Sequence, residues 1–188
     1  MLVNDTDEAL MMRYRGGDAG AFEVLYTRHK GVLFRYFQRQ CGNGAVAEEL
    51  FQDVWVKLIN ARDRYEPRAK FTTYLYHMAH NRLIDFYRKQ SSGVPVSFGE
   101  ADCPGLDEMI TETQYIPERQ AVSREQTDQL LALIDKLPEA QREVFLMREE
   151  SGMSLEQIAE ATRVGKETAK SRLRYAVAAL RHGMEQHL

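Results

Sequence analysis

Residues 152–180 read GMSLEQIAEATRVGKETAKSRLRYAVAAL. Ser154 followed three residues later by Gln157 has the pattern of a capping box, which opens a helix by satisfying its first unpaired amides. Leu155 and Ile158 are spaced to face a core from that short helix. Thr162, Arg163, Val164 and Gly165 supply a tight turn, and a second helix opens at Lys166. Two helices on so short a turn predict a helix-turn-helix. In that motif the start of the second helix enters the major groove of duplex DNA. Lys166, Thr168, Lys170, Ser171, Arg172 and Arg174 crowd that start, and all are side chains that bond phosphates or base edges. A helical hairpin with a solvated basic face is the plainer alternative. Turn length, cap and charge placement together favour the DNA-reading form.

Helical periodicity continues on either side of this segment. Helices are predicted over 118–136, 139–151, 155–161 and 166–186. Nearer the amino terminus, Asp5-x-x-Glu8 resembles a capping box, and Asp18 can cap a helix after the Gly16-Gly17 break. Phe22, Leu25, Tyr26, His29, Leu33 and Phe37 recur at helical spacing up to Cys41 and the Gly42-Asn43-Gly44 stop. Residues 45–61 carry the next helix, the stretch 62–70 with Pro67 is a predicted loop, and another helix follows to about Gln90. From Ser91 to Pro117 the periodicity fails, and Gly93, Pro95, Gly99, Pro104, Gly105 and Pro117 punctuate a polar, acidic stretch. A structureless segment of that length argues for two units rather than one. The expected fold class is therefore all-α, with two small helical domains, 1–92 and 118–188, joined by an acidic flexible linker over 93–117.

The helix preceding the linker mixes two chemistries. In KFTTYLYHMAHNRLIDFYRKQ, residues 70–90, Leu75, Ala79 and Phe86 suit a core. Tyr74, Tyr76, His77, Asn81, Arg82 and Arg88 suit single-stranded nucleic acid, where aromatic faces stack on bases and cations track the backbone. Half-buried core aromatics remain the alternative for Tyr74 and Tyr76.

Of the 188 residues, 44% are apolar and 28% charged, as in ordinary globular chains. No apolar run approaches a membrane span, and no signal peptide is recognisable. Cys41 and Cys103 are far apart, which fits a reducing compartment, the cytoplasm. A net charge of −3 argues against coating DNA unaided, because such affinity comes from neutralising phosphates. The charge is segregated instead: basic blocks over 62–89 and 163–181 flank an acidic middle. His77 and His80 lie one turn apart but are too few to hold a metal without further ligands. No nucleophile–base pair, phosphate-binding loop or carboxylate pair points to catalysis, and no cofactor is implied.

Two longer blocks carry a family resemblance. Residues 135–176, DKLPEAQREVFLMREESGMSLEQIAEATRVGKETAKSRLRYA, resemble the carboxy-terminal domain of bacterial sigma factors of the extracytoplasmic-function (ECF) group. Residues 47–90, AEELFQDVWVKLINARDRYEPRAKFTTYLYHMAHNRLIDFYRKQ, resemble that group's promoter-melting domain. The resemblance implies a non-catalytic specificity subunit of DNA-directed RNA polymerase that acts in transcription initiation, in a group tied to stress responses. By that resemblance the helix-turn-helix reads the minus-35 duplex. Glu49, Leu50, Gln52 and Asp53 match positions that contact the clamp helices of core RNA polymerase. Loop 62–70, with Arg62 and Arg64, matches the region that captures a flipped minus-10 base. Tyr74, Tyr76 and Asn81 match contacts to the non-template strand, with His77, Arg82 and Arg88 beside them. Many relatives carry Trp where Tyr74 stands, a departure that bears on stacking. An anti-sigma protein is a further implied partner, and the acidic linker is expected to thread toward the RNA exit channel. An operator-binding dimer would explain only the helix-turn-helix.

Overall fold

A computed structural model describes residues 4–90 and 124–186, and among these there are eight α-helices and no strand. They are α1 (Asp7–Arg15), α2 (Ala19–Cys41), α3 (Gly44–Ala61), α4 (Phe71–Gln90), α5 (Arg124–Lys136), α6 (Glu139–Glu149), α7 (Leu155–Thr162) and α8 (Lys166–Glu185). The expected linker 93–117, the start of the predicted helix at Glu118 and Cys103 lie outside the described residues.

Local chemistry accounts for most boundaries. Asp18 caps α2 by accepting from the Ala21 amide, and Asn43 does the same for α3. Between them Gly42 ends α2 in the left-handed region at φ 62°, where a Cβ would be strained. The Ser154–Gln157 capping box of α7 is present with both bonds made. The expected box at Asp5 and Glu8 is not formed. Thr6 is the cap, accepting from Ala9, and Glu8 reaches across the fold to accept from the Phe71 amide at 2.8 Å. The α1 carboxylate thus satisfies an amide at the start of α4, where negative charge is favoured. The expected loop 62–70 contains a short 3-10 turn over Arg62–Arg64.

Helices α1 to α4 enclose Leu10, Leu25, Phe37, Leu50, Val54, Leu58, Leu75 and Leu83, all fully buried. Trp55 joins them, as its type suggests, with edge-on contacts to Phe22 and Tyr26 at centroid distances of 5.8 and 5.0 Å. Helices α5 to α8 close over Val144, Met147, Ile158, Ala169 and Ala176.

The two groups of helices pack directly on each other, α2 against α5 and α6, and α4 against α7. Arg142 ties this junction together. Its guanidinium donates to the Gln40 carbonyl at the end of α2 (3.2 Å) and to Ile134 and Leu137 at the end of α5 (3.1 and 2.9 Å). One cation therefore serves the electronegative ends of two helices.

Candidate nucleic-acid and polymerase interface

The turn between α7 and α8 brings Arg163 into the left-handed region at φ 56°. Gly165 then precedes α8 in extended conformation. The expected DNA-facing set divides by environment. Lys166, Lys170 and Arg174 are exposed, whereas Thr168, Ser171 and Arg172 are half-buried. Lys166 pairs with Glu156 across the turn, so a phosphate must compete for that ammonium. Burial pulls the Arg172 guanidinium below its usual pKa, with Glu143 opposing the shift. Arg172 thus belongs partly to the protein interior.

On the other half, the loop after α3 and the first turns of α4 frame an open cavity of about 530 Å³. Arg64, Tyr65, Glu66, Arg68, Thr73, Tyr74 and His77 line it, with Arg68 paired to Glu66, and Glu160 of α7 and Arg163 just after it approach from the other half. Tyr74 meets Tyr65 edge-on at 5.2 Å. The hydroxyls of Tyr65 and Thr73 are buried without a hydrogen-bond partner in the protein. Burial also pushes the Tyr65 phenol up to about 12. Cations at the rim beside the half-buried Tyr74 ring can hold an unstacked base and its phosphate. Arg62, Arg64 and Arg88 are exposed, and Asn81 is half-buried.

Three of the expected DNA-facing residues on α4 are engaged elsewhere. Tyr76 is 2% exposed, and its oxygen accepts from Ser151 Oγ at 2.6 Å. His77 donates from Nδ1 to the Ala161 carbonyl (3.1 Å), while Nε2 accepts from Arg163 (2.9 Å). That pattern requires the neutral ring, and burial together with the Arg163 charge lowers its pKa accordingly. Arg82 turns to α3, donating from Nε to Asp53 (2.6 Å) and from Nη2 to Glu49 (3.1 Å).

That contact leads to the expected polymerase-facing motif. Glu49 and Gln52 are exposed, Asp53 is half-buried, and Leu50 is wholly buried among core residues. The outward chemistry of the motif is therefore its three polar side chains, followed along α3 by exposed Val56.

Sequence reasoning missed the centre of the junction. Glu143 on α6 is completely buried and accepts from Tyr36 (2.7 Å) and from His80 Nδ1 (2.8 Å). Nearby, Glu150 accepts from Arg39 at 2.7 Å and from Arg35 at 3.3 Å. The Cys41 thiol is pushed up to about 11 by burial, the opposite of an activated thiol. Among the described residues no cluster of His, Cys, Asp or Glu could hold a metal, and no helix is long and apolar enough to cross a membrane.

Fold and site together define an all-α, helix-turn-helix protein with a second, aromatic-lined cationic surface. Residues 25–93 match the family model of Sigma-70 region 2, and residues 127–180 that of Sigma-70, region 4. The ECF RNA polymerase sigma factor SigX of Bacillus subtilis (strain 168) is 26% identical over 164 residues, covering 87% of this chain and 84% of SigX. In fold, the chain resembles CnrH in its complex with the cytosolic domain of CnrY, with a TM-score of 0.69 at 21% identity over 97% of this chain and 99% of that one. It also resembles RpoE in complex with the anti-sigma factor NepR from Bartonella quintana, with a TM-score of 0.66 at 21% identity over 87% of this chain and 96% of that one. The chain belongs to the sigma-70 family, in its ECF group. Its two regions serve promoter-specific transcription initiation.

Proposed function

We propose that this chain is a dissociable specificity subunit that reads two promoter elements with its two helical halves. The amino-terminal half, about 1–92, docks on core RNA polymerase through Glu49, Gln52 and Asp53 and traps bases of the opened minus-10 strand. The carboxy-terminal half, about 118–188, reads the minus-35 duplex with the first turns of α8. The polymerase supplies the active site, and this chain supplies selectivity. The observation that carries the reading is the pairing of the aromatic-lined cavity beside α4 with the exposed cations of α8.

Distance adds a requirement. Elements centred near minus-10 and minus-35 lie roughly 85 Å apart at about 3.4 Å per base pair. Here α4 and α7 touch, with His77 only 3.1 Å from Ala161. Reading both elements therefore requires the halves to part. The connecting residues 91–123 have a contour of roughly 100 Å when fully drawn out, enough to allow it. An anti-sigma protein is the natural regulatory partner, given that the structurally similar RpoE binds NepR.

The direct test is to add the purified chain to core polymerase and to a set of promoter-bearing genomic fragments. Complex formation and initiation at defined starts are expected. Tight, symmetric operator binding without polymerase, or no core binding, would refute the reading.

A further inference from the structure

Arg82 sits on the helix expected to face DNA, yet its guanidinium is turned the other way. Its side chain is only 11% exposed, and its two bonds go to Asp53 and Glu49, whose side chains remain 44% and 68% exposed. Those carboxylates stand one turn apart on α3 and repel each other. One guanidinium fork beneath them offsets the repulsion and restricts both side chains to a single arrangement. Leu50, between them in sequence, is buried and anchors α3 from below.

We propose that Arg82 is a positioning residue of the polymerase-docking surface and makes no contact with promoter DNA. This rests on the reading of Glu49, Gln52 and Asp53 as that surface. The partner it prepares for is a basic helical face of the polymerase. Two acidic side chains already held in place bind such a face without losing their rotamer freedom at the moment of docking. A lysine would keep the charge but present a single point rather than a fork spanning two carboxylates.

The test compares Arg82→Gln, Arg82→Lys, the pair Glu49→Gln with Asp53→Asn, and the combination of that pair with Arg82→Gln. Core-polymerase affinity and minus-10 base preference across a promoter library are measured for each. Arg82→Gln should weaken core binding about tenfold, through lost preorganisation, and leave the minus-10 preference unchanged. Arg82→Lys should recover part of the affinity. Added to the double carboxylate variant, Arg82→Gln should cause no further loss, which a general folding defect would not reproduce. Unchanged core affinity with an altered minus-10 profile would overturn the proposal, as would an additive loss in the combined variant. Failure of the unaltered chain to bind core would instead overturn the docking reading itself, so the two failures are distinct.

Discussion

His77 and Glu143 show how single side chains are spent at the junction. The His77 ring is held neutral by donating to a carbonyl and accepting from Arg163, with Glu160 and His80 also nearby. Its folded pKa lies below the ordinary value of 6.5, so the unfolded chain takes up the proton first as pH falls. Its contribution to stability is complete above about 6.5 and is lost as pH drops through the lower, folded value. Thermal melts of His77→Gln between pH 7 and 5 should thus show a shallower acid decline than the unaltered chain; a matching slope would contradict this. Glu143 accepts from both Tyr36 and His80 in full burial. Glu143→Ala strands both donors and should cost about 3 kcal/mol in denaturant melts, whereas Glu143→Gln keeps an acceptor and should cost less. No composition or spacing signal separates this glutamate from its solvated neighbours in REVFLMREE. Its partners lie 107 and 63 residues away in sequence.

Helices were legible wherever their ends carry their own chemistry. Ser154 with Gln157, Asp18 before α2 and Gly42 after it satisfy nearby backbone groups, so a local pattern suffices. Asp5-x-x-Glu8 had the same pattern and misled, because Glu8 serves the amide of Phe71 across the fold. Tertiary demand outranked the local cap. The same division applies to α4, where Leu75 and Ala79 read correctly as core but Tyr76, expected to face DNA, is buried. Its face is covered by Ser151 of the other half. In α8, Gly183 matters for proximity. A Cβ there would lie 2.6 Å from one Leu133 methyl and 2.9 Å from the other, where α8 crosses α5. Gly183→Ala should fail to return the roughly 1 kcal/mol that the change gains at an open helix position, because the Leu133 side chain must move. In a Leu133→Ala background the same change should stabilise; a full gain in the unaltered chain would contradict the close crossing.

For the whole molecule, the sequence made the family and the all-α class readable, because the helix-turn-helix and the aromatic-basic helix are contiguous segments. The closed packing of the halves was not readable, since Glu143, Glu150 and Arg142 act on residues 63 to 115 positions away or on carbonyls at helix ends. That closure buries Glu143 at a junction which, on the proposed two-element reading, must open on the promoter. The division of labour between the halves is the central claim. It is tested most directly by transcription with core polymerase on a library randomised at both promoter elements, using the unaltered chain, Lys170→Ala and Asn81→Ala. Lys170→Ala should weaken use of the upstream duplex element and flatten its salt dependence by about one phosphate contact, leaving the downstream preference intact. Asn81→Ala should relax base selectivity only at the downstream element. Identical specificity profiles for the two variants would contradict the account.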